Sequence, residues 1–198
     1  MPTELLPEFH IAILTETMLA NTLDIPGFYS AHALAKVNQI GRPAGGVSCY
    51  YKGNIGKPSH IHTSDNTIII KTANSTLIGM YISPTASIND ATESLAQALS
   101  HTEPEESVNL AGDFNCRIDK PSHRSKILLE ALEEEGFTLT NDPMDYTYFA
   151  PNGSSTIDLI LYRSQNKKLL ITNQKQHWPR TVAPTRKHVP VVAIIHNT

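Results

Sequence analysis

Short apolar runs alternate along this chain with stretches whose apolar residues recur at helical spacing. Ile11-Ala12-Ile13-Leu14-Thr15 is a bounded apolar run and reads as a buried strand. A second run, residues 47–52, follows the turn-rich Gly41-Arg42-Pro43-Ala44-Gly45-Gly46. Residues 67–72 and 76–83 flank Ala73-Asn74-Ser75, an arrangement that predicts a hairpin. Ile88, Ala91, Leu95 and Leu99 fall on one helical face and predict a helix over 88–101. Residues 107–111 read as a strand running into Gly112-Asp113-Phe114-Asn115. Over 125–135 the stripe Ile127, Leu128, Ala131 and Leu132 predicts a second helix, with Gly136 where a C-terminal cap belongs. Further strands are expected at 156–162 and 189–195.

Strand hairpins with two interspersed helices in 198 residues predict an α/β fold. The expected form is a two-sheet α/β sandwich, one domain over 1–198, with helices outside the sheets. There is no internal repeat and no interdomain linker. The 40% hydrophobic and 18% charged residues are too apolar for disorder. No apolar run nears the roughly 18 residues of a bilayer span, so no membrane partner is expected, and the N-terminus lacks a secretory pattern. Cys49 and Cys116 are too few for a disulfide framework; buried free thiols in a reducing compartment are expected.

Charge is distributed unevenly. Residues 159–198 hold seven Lys and Arg and no Asp or Glu, so with the whole chain at −3 the first 158 residues carry −10. That basic stretch either contacts a phosphate backbone or is a solvated face balancing the acidic part. Glu103-Pro104-Glu105-Glu106 reads as a solvated loop, and Glu133-Glu134-Glu135 as a helix surface.

Several polar residues stand at strand ends, where loops gather on the rim of a sandwich. Glu16 follows the 11–15 run, Tyr81 lies in Gly79-Met80-Tyr81-Ile82-Ser83-Pro84, and Asp113 and Asn115 end a buried strand. Each has an ordinary structural reading: a surface charge, a core aromatic, a turn closed by side-chain to backbone bonds. Asp158 differs, because it interrupts Ile157-Asp158-Leu159-Ile160-Leu161, and a carboxylate in an apolar strand must be paired. His188, directly before a predicted strand, is its natural partner. The other eight histidines read as surface or loop residues.

Taken together, Leu14-Thr15-Glu16-Thr17, Tyr81-Ile82-Ser83-Pro84, Gly112-Asp113-Phe114-Asn115, Ser155-Thr156-Ile157-Asp158 and Lys187-His188-Val189-Pro190-Val191 resemble, in order, the motif series of the exonuclease–endonuclease–phosphatase superfamily, which includes apurinic/apyrimidinic endonucleases. Thr15-Glu16-Thr17-Met18-Leu19 and Gly41-Arg42-Pro43-Ala44-Gly45-Gly46-Val47 look like the endonuclease domain of non-LTR retrotransposons. The resemblance implies a DNase I-like sandwich that hydrolyses one DNA phosphodiester and leaves a 3′-hydroxyl for a reverse transcriptase to extend. It implies that Glu16 ligates Mg²⁺ (or Mn²⁺), that Asp113 orients or deprotonates the attacking water, and that Asn115 holds that water or a phosphate oxygen. His188, held in its tautomer by Asp158, would stabilise charge on the phosphoryl oxygen, and Tyr81 would contact the phosphate or the leaving oxygen. Ser155 and Arg42 would bind the DNA substrate.

Two departures bear on activity. The family's first strand, which carries an active-site Asn, has no counterpart before Leu14, so the 11–15 strand is expected at an exposed edge. Lys187 stands where the family has Asp beside the histidine, and its ammonium is expected to approach Glu16 and compete with a cation. The alternatives to a working endonuclease are therefore a catalytically impaired remnant of such a domain, or a phosphatase of the same superfamily. A monomer, nuclear or cytoplasmic, with a reverse transcriptase domain in the parent polyprotein, completes the expectation.

Overall fold

The computed structural model describes residues 10–37, 41–164, 170–173, 188 and 193–196. In chain order the first strands are β1 (Ile11–Thr15), β2 (Tyr29–Ala33), β3 (Lys36–Val37), β4 (Pro43–Ala44) and β5 (Val47–Tyr51). Then come β6 (His60–Ser64), β7 (Thr67–Lys71), β8 (Thr76–Tyr81), helix α1 (Ile88–Leu99), β9 (Val108–Asp113) and helix α2 (His123–Glu134). The remainder is β10 (Thr138–Leu139), β11 (Tyr148–Ala150), β12 (Gly153–Ser155), β13 (Asp158–Arg163), β14 (Leu170–Asn173) and β15 (Ala193–His196).

Six strands form one sheet in the order β10-β13-β9-β8-β7-β6, and three form another in the order β1-β5-β2. Among the described residues β1 pairs only with β5. Within the larger sheet β8 and β9 are parallel while the other pairs are antiparallel. A parallel neighbour requires a crossover, and α1 supplies it. Both helices pack on one face of this sheet and the three-stranded sheet covers the other, which is the expected α/β sandwich.

That layering explains why β7 is apolar without alternation. Ile68 and Ile70 face the smaller sheet, in a core with Ala31, Val47 and Cys49; Ile69 faces the helices, with Leu95, Leu99 and Leu128. A strand covered on both faces has no wet side to make polar. Each of these isoleucines is at most 1% exposed, worth roughly 1.5–3 kcal/mol of burial apiece. Gly79 of β8 lets the sheets approach, since a Cβ there would sit 3.0 Å from Cγ2 of Ile13.

Helix α1 begins with a reciprocal cap: the Ser87 hydroxyl accepts from Asp90 N, and the Asp90 carboxylate accepts from Ser87 N, both at 3.1 Å. Ala91, Leu95 and Leu99 are buried as the spacing predicted. In α2 the buried face is Ser125, Leu128 and Leu132, whereas Ile127 and Ala131, expected in the stripe, are half-exposed. The Ser122 hydroxyl caps this helix by accepting from Ser125 N, so it starts two residues before the expected position. Gly136 closes it, donating its N–H to Glu133 O at 2.9 Å.

Other expectations need correction. The strand expected at 107–111 extends through Asp113, and that expected at 156–162 begins only at Asp158. Glu106 is not simply solvated; its carboxylate bonds the hydroxyl of buried Thr76 and pairs with Lys71 at 3.3 Å. Arg163, counted in the basic stretch, is 9% exposed and donates to Thr102 Oγ1 (2.7 Å) and Glu103 O (3.0 Å). Of the histidines read as surface or loop residues, His32 and His62 are half-buried in strands, while His60, also in a strand, is exposed as expected. Cys49 and Cys116 are free and buried, as expected. No helix among the described residues is long and apolar enough to cross a membrane.

Candidate active site

The register of the larger sheet assembles the first part of the site. Tyr81 of β8 is level with Asp113 of β9, and Asp113 is level with Asp158 of β13. Partners in register project to the same face. Asp113, at 1% exposure, and Asp158 thus lie side by side, where burial and like charge both oppose ionisation of Asp113. Burial, then the neighbouring Asp158, push the Asp113 carboxyl up to about 7. The residue before it must be glycine: a Cβ at Gly112 would stand 1.8 Å from Met80 O, inside the β8–β9 contact.

Glu16 arrives from the other sheet, one residue past β1. Its backbone is in the left-handed region (φ 49), at a cost of roughly 1–3 kcal/mol for a glutamate, and so is that of Asn115 (φ 46), a residue type that tolerates it more readily. The Tyr81 hydroxyl donates to Glu16 Oε1 at 2.8 Å, joining the two sheets at this rim. Burial and then this bond hold the Tyr81 phenol well above its ordinary range, so it remains a donor at neutral pH. Asn115 N donates to Asp113 Oδ1 at 2.8 Å, and one N–H of its amide donates to Ile82 O at 3.0 Å.

His188 Nδ1 lies 3.0 Å from Asp158 Oδ2. With that carboxylate accepting from Nδ1, Nε2 remains available for a second partner. The bond to Asp158 raises the His188 pKa, against the opposing effect of burial. The imidazole is also braced by Tyr148, which bridges it through the backbone and meets it edge-on at 4.9 Å between ring centres.

Ligand atoms of Glu16, Asp113 and His188 lie within 4.8 Å of one another, and no other such group of three or more occurs among the described residues. Two carboxylates and an imidazole, with Asp158 behind the imidazole, are a donor set that fits a small divalent cation. Of the expected substrate contacts, Ser155 is buried in β12 and Arg42 is exposed immediately before β4; neither belongs to this group. Lys187 lies outside the described residues, so its approach to Glu16 is not described.

Three positioning residues escaped the sequence reading. The Thr147 hydroxyl accepts from both Ile157 N (3.1 Å) and Asp158 N (3.0 Å), and the Asn141 amide bonds Asp158 O (3.1 Å) and Ile160 N (2.7 Å). They hold the strand carrying Asp158 as a neighbouring strand would. Tyr148 is the third. The only available signal was Asp145-Tyr146-Thr147-Tyr148-Phe149, polar and aromatic residues just upstream of the Asp158 motif.

A family model described as "Endonuclease-reverse transcriptase" matches residues 75–182. A search of curated proteins gave no significant match. Among solved structures, an AP endonuclease from Archaeoglobus fulgidus superposes with TM-score 0.70 at 16% identity, covering 96% of this chain and 90% of that one. The endonuclease domain of TRAS1, a telomere-specific non-LTR retrotransposon, gives 0.61 at 17% identity, over 85% and 78%. The Haemophilus ducreyi cytolethal distending toxin gives 0.56 at 12% identity, over 95% and 86%. At these identities the likenesses establish the shared fold. The family model spans more than half of the chain, so this protein belongs to the endonuclease–reverse transcriptase family of the endonuclease/exonuclease/phosphatase superfamily.

Proposed function

We propose that this chain acts as one DNA endonuclease domain of the non-LTR retrotransposon type, hydrolysing a phosphodiester to leave a 3′-hydroxyl that a reverse transcriptase extends. The observation that carries the reading is the convergence of Glu16, Asp113 and His188 within 4.8 Å, with Asp158 on His188 at 3.0 Å. Glu16, with Asp113 beside it, would hold Mg²⁺ or Mn²⁺, which when bound supplies positive charge to the scissile phosphate. Asp113 takes the proton of the attacking water. Asn115 steadies that water. His188, oriented by Asp158, donates to the phosphoryl oxygen as charge gathers there. Tyr81 faces the leaving 3′-oxygen as a phenol still carrying its proton, while Ser155 and Arg42 contact the DNA backbone.

Nicking of supercoiled plasmid in Mg²⁺, with an EDTA control, tests this. His188→Ala and Glu16→Ala should each lower the rate by about 10²–10³. Nicking that survives both substitutions would show that the chemistry lies elsewhere. Lys187, where the resemblance expects Asp, supports the second reading, a catalytically impaired remnant. On that reading the unmodified chain is silent and Lys187→Asp brings nicking back.

A further inference from the structure

Asn66 sits in the two-residue turn between β6 and β7, and no motif points to it. Its backbone is left-handed (φ 57), and its two oxygens reach opposite halves of the site. The side-chain Oδ1 accepts the N–H of Gly46 at 2.8 Å. The main-chain O accepts the N–H of Tyr81 at 2.9 Å. Beyond Gly46 the path continues to Glu16: Gly46 O accepts from Thr17 N at 3.2 Å, and Gly45 O from Met18 N at 3.1 Å. Those two bonds fix the residues directly after Glu16, whose own backbone is held in the left-handed region. The fit is tight, because a Cβ at Gly45 would lie 2.4 Å from Asn66 Oδ1.

Both members of the Tyr81–Glu16 hydrogen bond are therefore tethered to one residue, Tyr81 by a main-chain bond and Glu16 through the Gly45-Gly46 loop. We infer that Asn66 is a positioning residue that sets the Glu16 carboxylate for cation binding. The inference rests on the reading of Glu16 as a metal ligand. The two anchored backbone amides that follow Glu16, itself in a costly conformation, constrain where its carboxylate points. Loss of such outer support typically lowers metal affinity by about 10–100-fold.

The substitution Asn66→Gly isolates this role. Glycine accepts the left-handed turn freely and keeps the main-chain oxygen for Tyr81, so only the acceptor for Gly46 N–H is removed. Asn66→Asp keeps an acceptor at the same place and tolerates the same backbone. Mn²⁺ binding to the full chain is titrated by electron paramagnetic resonance of the free ion, alongside thermal unfolding in EDTA. Asn66→Gly should weaken Mn²⁺ binding by about tenfold or more with its unfolding midpoint little changed, while Asn66→Asp binds within about threefold of the unmodified chain. Glu16→Gln is the control for the underlying reading. If Glu16→Gln weakens binding and Asn66→Gly does not, or if Asn66→Asp loses as much as Asn66→Gly, the positioning role is overturned. If Glu16→Gln changes nothing, or the unmodified chain binds no Mn²⁺, the metal-ligand reading has failed and the inference falls with it.

Discussion

The site residues work against the stability of the chain that carries them. Asp113 is buried beside Asp158, and burial together with that neighbour makes its ionisation costly. Replacing it with uncharged, near-isosteric Asn should relieve the repulsion while removing the proton acceptor. In EDTA at pH 8, Asp113→Asn is expected to stabilise by about 1–2 kcal/mol, a rise in Tm of roughly 3–6 °C, and to lose nicking activity. A lower Tm would mean that the bond from Asn115 N to the carboxylate outweighs the repulsion. This residue was legible in the sequence because Gly112-Asp113-Phe114-Asn115 is local. Asn66 was not, since its role depends on Gly46 and Tyr81, brought to it only by folding. Asp158 and His188 fall between these cases: the need of a carboxylate in an apolar strand for a partner identified the pair and its hydrogen bond, observed at 3.0 Å, but not the brace from Tyr148.

Among the elements, Glu106 joins the start of β8 to the loop after α1. Burial alone would raise its pKa, but the bonds from Thr76, Glu103 N and Lys71 prevail and hold it below the ordinary value. A depressed folded value means stability that is present above the unfolded pKa and lost as pH falls through the folded one. Glu106→Gln, a neutral stand-in for the protonated acid, should therefore cost about 1–2 kcal/mol at pH 7, measured by urea unfolding. The gap to the unmodified chain should close as pH drops below 4.5, the usual glutamate value. A gap independent of pH would mean that shape, not charge, is what Gln disturbs. Of the strands the sequence disclosed, β5, β7 and β8 are buried almost throughout, and β1, though at the end of its sheet, still carries the apolar run Ile11-Ala12-Ile13-Leu14. Those it hid are sheet edges and short pieces. In β6, His60-Ile61-His62-Thr63-Ser64 has no fully buried residue, and in β2 only Ala31 and Ala33 are buried. With little apolar surface to cover, an edge strand writes little alternation into its sequence.

At the scale of the molecule, the candidate site belongs to neither sheet. Asp113, Asp158 and Tyr81 come from the six-stranded sheet, whereas Glu16 follows a strand of the three-stranded one. A cation held by Glu16 and Asp113 would bridge the layers, so part of its binding free energy would appear as resistance to their separation. Hydrogen exchange with and without Mn²⁺ should register this as slower exchange in β1, β5 and β2, more than in β9. Uniform slowing across both sheets would indicate that the layers open only by global unfolding. Should the smaller layer swing away first, the cutting centre would come apart while most of the chain stayed folded. A damaged or half-folded copy would then be harmless to the DNA around it, with nuclease activity confined to molecules that had finished folding.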